Sequence, residues 1–271
     1  MRHVESMGVS SLWVVTMFHF LPALAMLPLI LSIPNASRED WKRASIAGLL
    51  VGAGFVFYAL GLIVSSVTKT VVLFYMTPIW STIFAYFVIN ERVGLARWFA
   101  IFGGISGCAL VMDLNSQSIH FNQADLLGLF SGVFWALGSV TVRRFNKINF
   151  LHVTFLQYLL GGVMAFGVVL FIGDPAPTVD AFLRAAPIAF LTSALIFLPT
   201  ALLVFRIMQY VSPGLVGILM LSEALVAALS AAIWLGETLS LSQWLGVITI
   251  LTTGVLIGFH EGKIKVTKQA D

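Results

Sequence analysis

The sequence predicts an all-α membrane protein of nine transmembrane helices, arranged as an inverted repeat of four plus five. Three observations carry that prediction. Of 271 residues, 59% are hydrophobic and only 10% are charged. Soluble domains carry roughly 25% charged residues, so lipid must be the solvent along most of this chain. Lys and Arg are confined to short segments between apolar runs, and their abundance alternates from one segment to the next. A short hydrophilic turn, Glu91 to Trp98, returns as Glu237 to Trp244, each time between two membrane-length runs.

The first apolar run covers 11–31. It is long enough to span a bilayer and has no small-residue cleavage site after it, which separates it from a secretory leader. Arg38, Lys42 and Arg43 divide it from the second run, 45–64. Lys69 precedes the third, 71–89, and Arg92 and Arg97 lie in the turn before the fourth, 98–112. The fifth and sixth, 126–142 and 151–172, are parted by Arg143, Arg144 and Lys147. Arg184 leads into the seventh, 187–208, with Arg206 at its end. The eighth and ninth, 214–235 and 244–259, flank the second turn, and Lys263, Lys265 and Lys268 follow. A spanning helix needs ~20 residues, so the fourth, fifth and ninth are short. Backbone groups find no water in lipid, and helices satisfy them within one segment. The residue alternation of a membrane barrel is absent.

Charge then sets orientation. Twelve of the 15 Lys and Arg residues fall on one side of the nine-span path; Arg2, Lys69 and Arg184 fall on the other. The rich side is expected to be cytoplasmic, which places the C-terminus inside and the protein in the inner (plasma) membrane. A pI near 9.2 is explained by these loops, without nucleic acid.

The two turns reveal a duplication. Glu237 and Trp244 each lie 146 positions after Glu91 and Trp98. At that shift Leu73, Ala85, Leu95 and Leu110 meet Leu219, Ala231, Leu241 and Leu256. Charge places the two turns on opposite sides of the membrane, so the copies run in opposite directions, as in many secondary transporters. The expected division is 1–113 for the first repeat, 120–262 for the second, and a basic cytoplasmic tail at 263–271. Shifting the fifth run back by 146 leads to positions before residue 1, so the first repeat lacks its first helix. Either the start is late or truncated, or a nine-span form is real. Residues 1–10 read like the loop after such a helix.

Particular motifs extend this. Trp135-Ala-Leu-Gly-Ser opens the second repeat. Leu221-Ser-Glu-Ala-Leu, Leu235-Gly-Glu-Thr-Leu, Trp244-Leu-Gly and Gly254 follow it. Thr77-Pro78-Ile79, Asn90-Glu91-Arg92 and Trp98 echo them in the first. In order and spacing the chain resembles an EamA-type protein of the drug/metabolite transporter superfamily. The resemblance implies ten helices in two inverted repeats of five, and movement of small metabolites, often outward. It implies a secondary active exporter of amino acids or related amphipathic compounds, working by alternating access. It also implies that the absent first helix would help line the cavity. The alternative is a non-transporting membrane protein, either an incomplete copy or an accessory subunit.

Candidate cavity residues are few. Glu223 lies about nine residues into its span, ~13 Å deep, where a carboxylate is costly and points to a substrate cation or a proton. A protonated Glu bonded to a neighbouring helix is the plain alternative. His19 lies mid-span and suits a proton relay, or is simply hydrogen-bonded inside the bundle. Trp135, Tyr58, Tyr75 and Tyr158 could form an aromatic site for organic cations, though most such residues anchor or pack. Thr77 and Pro78 occupy the positions equivalent to Glu223 and Ala224. Pro78 and Pro199 remove backbone donors and favour kinks. Lys69 and Arg206 are expected to snorkel, and Glu91 and Glu237 to cap the helices after them. Gly48/Gly52, Gly103/Gly107, Gly128/Gly132 and Gly254/Gly258 allow close helix approach. The second and fourth pairs lie in the last helix of each repeat, where a homodimer contact is expected.

Nothing reads as an enzyme. Zinc-protease, nucleophile-elbow and phosphate-loop patterns are absent, the single Cys108 is apolar in context, and no cofactor or metal is expected. The expected partners are a small-molecule substrate and the lipid bilayer.

Overall fold

The computed structural model describes residues 2–33, 37–65, 67–112, 122–235 and 239–270. Every regular element among them is helical. A short helix α1 (Arg2–Glu5) precedes α2 (Ser11–Leu31) and α3 (Arg38–Val64). Next come α4 (Val67–Phe74), α5 (Thr77–Ile89) and α6 (Leu95–Val111). The second repeat opens with a 3₁₀ turn, Gln123–Asp125, that leads into α7 (Leu126–Arg144) and α8 (Phe150–Ile172). It continues through α9 (Val179–Thr192), a π-helical segment Ser193–Phe197 and α10 (Leu198–Met208). It ends with α11 (Pro213–Met220), α12 (Ser222–Leu235) and α13 (Leu241–Ala270).

These elements form nine rods, because α4–α5, α9–α10 and α11–α12 are each one interrupted rod. Among the described residues, seven stretches are long and apolar enough to cross a membrane; two shorter ones are Leu95–Val111 and Pro213–Val226. The chain is a multi-pass membrane protein with four rods in the first repeat and five in the second. The repeat is sharper in structure than in sequence. Shifting α4 by 146 gives 213–220, the bounds of α11, and shifting the start of α6 gives residue 241, the start of α13.

Three rods outrun their apolar runs. α9 begins at Val179 rather than near 187, with the Thr178 hydroxyl accepting from the Ala181 amide at its start. α3 begins at Arg38 rather than near 45, because Ser37 and Asp40 form a reciprocal capping box that extends the helix into the polar loop. α13 continues through the basic tail. The π segment has a cause in Pro199. Proline has no N–H for the Leu195 carbonyl and its ring crowds that carbonyl, so the preceding turn widens.

The centre of the bundle is α3, gripped between α7 and α8, with α2 laid on α8 and α6 on α13. Glycines permit these approaches. A Cβ on Gly48 would lie 2.8 Å from the Gln157 amide nitrogen, and one on Gly54 would lie 2.9 Å from the Trp135 nitrogen. The repeat is not equally filled. α7 covers α3, but among the described residues no helix stands to α9–α10 as α7 stands to α3. Leu195, Ile196 and Leu203 on that rod are accordingly exposed, and it is the least buried of the long rods.

Candidate functional site

Both copies of the fourth rod of a complete five-rod repeat break at the same place, for different local reasons. In the first copy Pro78 cannot donate to the carbonyl four residues earlier, that of Phe74. The Thr77 hydroxyl donates to it instead, and Tyr75 and Met76 form the break. In the second copy there is no proline. There the Ser222 hydroxyl donates to the Leu219 carbonyl at 2.6 Å, and the helix resumes after Leu221. The Cys108 thiol lies 3.9 Å from the Leu221 carbonyl.

Most of the expected site residues gather at these breaks. Tyr58 of α3 packs on Phe74 with ring centroids 4.9 Å apart, and Phe74 touches Tyr75 at 6.0 Å and Trp135 at 6.4 Å. Glu223, on the first turn of α12, is within electrostatic reach of both Tyr58 and Tyr75. Glu223 is exposed. The reason lies in the unequal filling of the repeat. Thr77, the equivalent residue, is covered by Gly132 of α7, where an added Cβ would sit 3.1 Å from the Thr77 hydroxyl oxygen. No described helix covers Glu223 in the same way. Phe74, at the centre of the ring cluster, was not expected from sequence; only its place four residues before Pro78 could have marked it.

Trp135 is 1% exposed and forms the floor of the cluster rather than an open wall. Thr77 and Pro78 are buried and shape the break. The structure sets His19 and Tyr158 apart from this group. They meet edge-to-face at 6.3 Å between α2 and α8. His19 Nδ1 donates to the Val15 carbonyl at 2.8 Å, which places the proton on Nδ1. Among the described residues its buried Nε2 has no partner, and its ring lies against Gly161.

Several smaller expectations change. Glu91 does not cap α6: Gly94 is the N-cap and makes no side-chain cap bond. The carboxylate instead accepts from Arg97 Nη1 at 2.6 Å, because the left-handed Asn90 turns it back across the loop. Glu237 lies outside the described residues. Lys69 does not simply snorkel. It pairs at 3.3 Å with Asp125, which also accepts from the Ser65 hydroxyl and, at 2.8 Å, from the Asn122 amide. Arg206 stacks over Phe150 and Tyr210, 5.4 and 5.1 Å from their centroids. Gly107 is used inside the chain: a Cβ there would meet Ile250 at 2.9 Å and the Gly246 carbonyl at 3.0 Å. Gly254 and Gly258 face open space. Among the described residues, no group of three His, Cys, Asp or Glu could hold a metal.

Apolar rods related by an inverted repeat, with paired breaks at mid-rod near a carboxylate and rings, are an arrangement found in secondary transporters. The chain belongs to the EamA-like transporter family, whose model matches residues 1–113 and 122–259. It is 25% identical over 152 residues to an uncharacterised transporter, YoaV, of Bacillus subtilis, covering 54% of this chain and 51% of that one. It is 25% identical over 172 residues to a riboflavin transporter of Vibrio cholerae, covering 62% and 56%. A third relative, an S-adenosylmethionine uptake transporter of Rickettsia prowazekii, is 25% identical over 128 residues, covering 46% and 43%. The chain thus spans about half the length of these relatives, all named as transporters rather than enzymes. A solved crystal structure superposes with a TM-score of 0.72 over 96% of this chain and 91% of that one, at 16% identity, which supports the fold.

Proposed function

We propose that the protein is a secondary active transporter that exports small amphipathic metabolites, amino acids or related compounds among them, by alternating access. The observation that carries this is the placement of Glu223 within electrostatic reach of Tyr58 and Tyr75, beside two equivalent helix breaks. Rings offer a face for a flat or cationic group, and the carboxylate offers it a counter-charge or a proton. Relatives named for riboflavin and S-adenosylmethionine, one flat and one cationic, are compatible with such a site. The distribution of Lys and Arg supports an inner-membrane location with the C-terminus in the cytoplasm.

The test is flux of labelled amino acids, riboflavin and S-adenosylmethionine in proteoliposomes of the full chain, under an imposed proton gradient. A charge-assisted contact of ~1.5–3 kcal/mol corresponds to roughly a tenfold or greater loss, so Glu223→Gln should lower flux by that much. Unchanged flux at every pH would remove Glu223 from the mechanism. A second reading, a subunit that transports only in company, is favoured by the uncovered α9–α10 surface. It predicts no flux from this chain alone.

A further inference from the structure

At the end of the bundle where α5 gives way to α6, a cavity of about 770 Å³ opens between the two repeats. Its polar lining is strongly basic. Arg92 and Arg97 come from the turn after α5, Arg143 and Arg144 from the end of α7, Ser212 from the start of α11, and His260 from α13. Glu91 is the only carboxylate among the described lining residues, and Arg97 already binds it at 2.6 Å.

Three of these arginines are held in place, Arg97 by Glu91 and the two of α7 by carbonyls. Arg143 Nη1 donates to the Gln209 carbonyl, and Arg144 Nη1 donates to the Val88 carbonyl at 2.5 Å. Both carbonyls sit at helix C-termini, where a cation is favoured. A carbonyl orients a guanidinium without neutralising it, and a guanidinium has five N–H donors, so most of the capacity of each head remains for an anion. Orientation in the membrane alone would need basic residues somewhere on this side. It would not need four of them, from two distant parts of the chain, to converge on one cavity.

We propose that this cavity binds a phosphate-bearing anion, supplied as the headgroup of an anionic phospholipid. The charge pattern assigns this end to the cytoplasmic leaflet, where such lipids attract basic pockets between helices. The lipid source, rather than free phosphate, follows from α6. Ala96 and Arg97 line the cavity, and Leu95, Phe99 and Phe102 leave its edge along one helix face, all exposed. An acyl chain can lie along that stripe while its phosphate sits among the arginines. The lipid would tie the first repeat's turn to the ends of α7 and α13.

The test is thermal unfolding of the purified full chain in detergent, titrated with phosphatidylglycerol, phosphatidylcholine or inorganic phosphate. Phosphatidylglycerol should raise Tm and phosphatidylcholine should not. The Arg92→Gln, Arg144→Gln double variant should need about tenfold more phosphatidylglycerol for the same shift. If that variant does not survive purification, Arg92→Gln alone serves, since Arg92 is exposed on the turn. An equal shift with phosphatidylcholine, or equal titrations of variant and wild type, would overturn the site. Inorganic phosphate that reproduces the shift and competes with phosphatidylglycerol would overturn the lipid source.

Discussion

The hydroxyl of Thr77 donates to the carbonyl of Phe74, the group that Pro78 leaves without its helical partner. A local chemical repair therefore holds open the break on which the candidate site is built. Thr77→Val should leave that buried carbonyl unsatisfied, at ~1–3 kcal/mol, and lower Tm in detergent. Thr77→Ser should retain most of the stability. Pro78→Ala restores the missing N–H, so Tm should hold or rise while flux falls as α4 and α5 straighten into one helix. A Pro78→Ala protein with full flux would show that the break is not needed.

Asp125 is 1% exposed on its side chain and gathers Ser65, Lys69 and Asn122 at the entry to α7. Asp125→Ala removes these hydrogen bonds and one ion-pair partner of Lys69 and should cost ~1–3 kcal/mol. Asp125→Asn, which keeps one acceptor oxygen and loses the charge, should fall between. Thermal unfolding of the three proteins side by side gives the order.

The glycines of the last rods are not equivalent. Gly107→Ala puts a Cβ 2.9 Å from Ile250 and 3.0 Å from the Gly246 carbonyl, so α6 and α13 must separate and Tm should fall. Gly254→Ala and Gly258→Ala meet nothing within 4 Å and should leave Tm unchanged or slightly raised. If these two variants lost a dimer seen by crosslinking while keeping Tm, α13 would be the contact between copies.

α5 and α11 close on each other at Pro78 and Gly217, where a Cβ on Gly217 would lie 3.0 Å from Pro78 Cα. The 146-residue shift turns that pair into Ala224 and Val71. Among the described residues α12 and α4 do not pack as α5 and α11 do. Under the proposed alternating access the mirror contact forms in the opposite state. A Val71→Cys, Ala224→Cys protein, with Cys108→Ser to remove the native thiol, should crosslink more in the presence of transported substrate. Crosslinking indifferent to substrate and gradient would argue against that exchange.

Nine rods, their order and the duplication were legible in the sequence. The equivalence of Thr77 and Glu223 was legible too, because the shift that aligns the two turns also aligns these residues. Phe74 was not, and neither was the separation of His19 and Tyr158 from Glu223. Helices such as α2 and α8 are apolar on nearly every face, so periodicity does not say which face turns inward. The break before Ser222 was also hidden, since no proline marks it. Glu91 read as a cap because its pairing with Arg97 depends on one left-handed residue, Asn90.

By itself the sequence determined that this chain lives in lipid, where its helices lie, and that half of it repeats the other half in reverse. Those properties follow from local hydropathy and charge, because lipid forces each segment to satisfy its own backbone. Tertiary structure alone decided which rings come within electrostatic reach of Glu223, why Glu223 is exposed while Thr77 is covered, and where four arginines converge. Such choices depend on the rotation and crossing of rods, set by close contacts at Gly54, Gly107 and Gly217 between segments far apart in the chain.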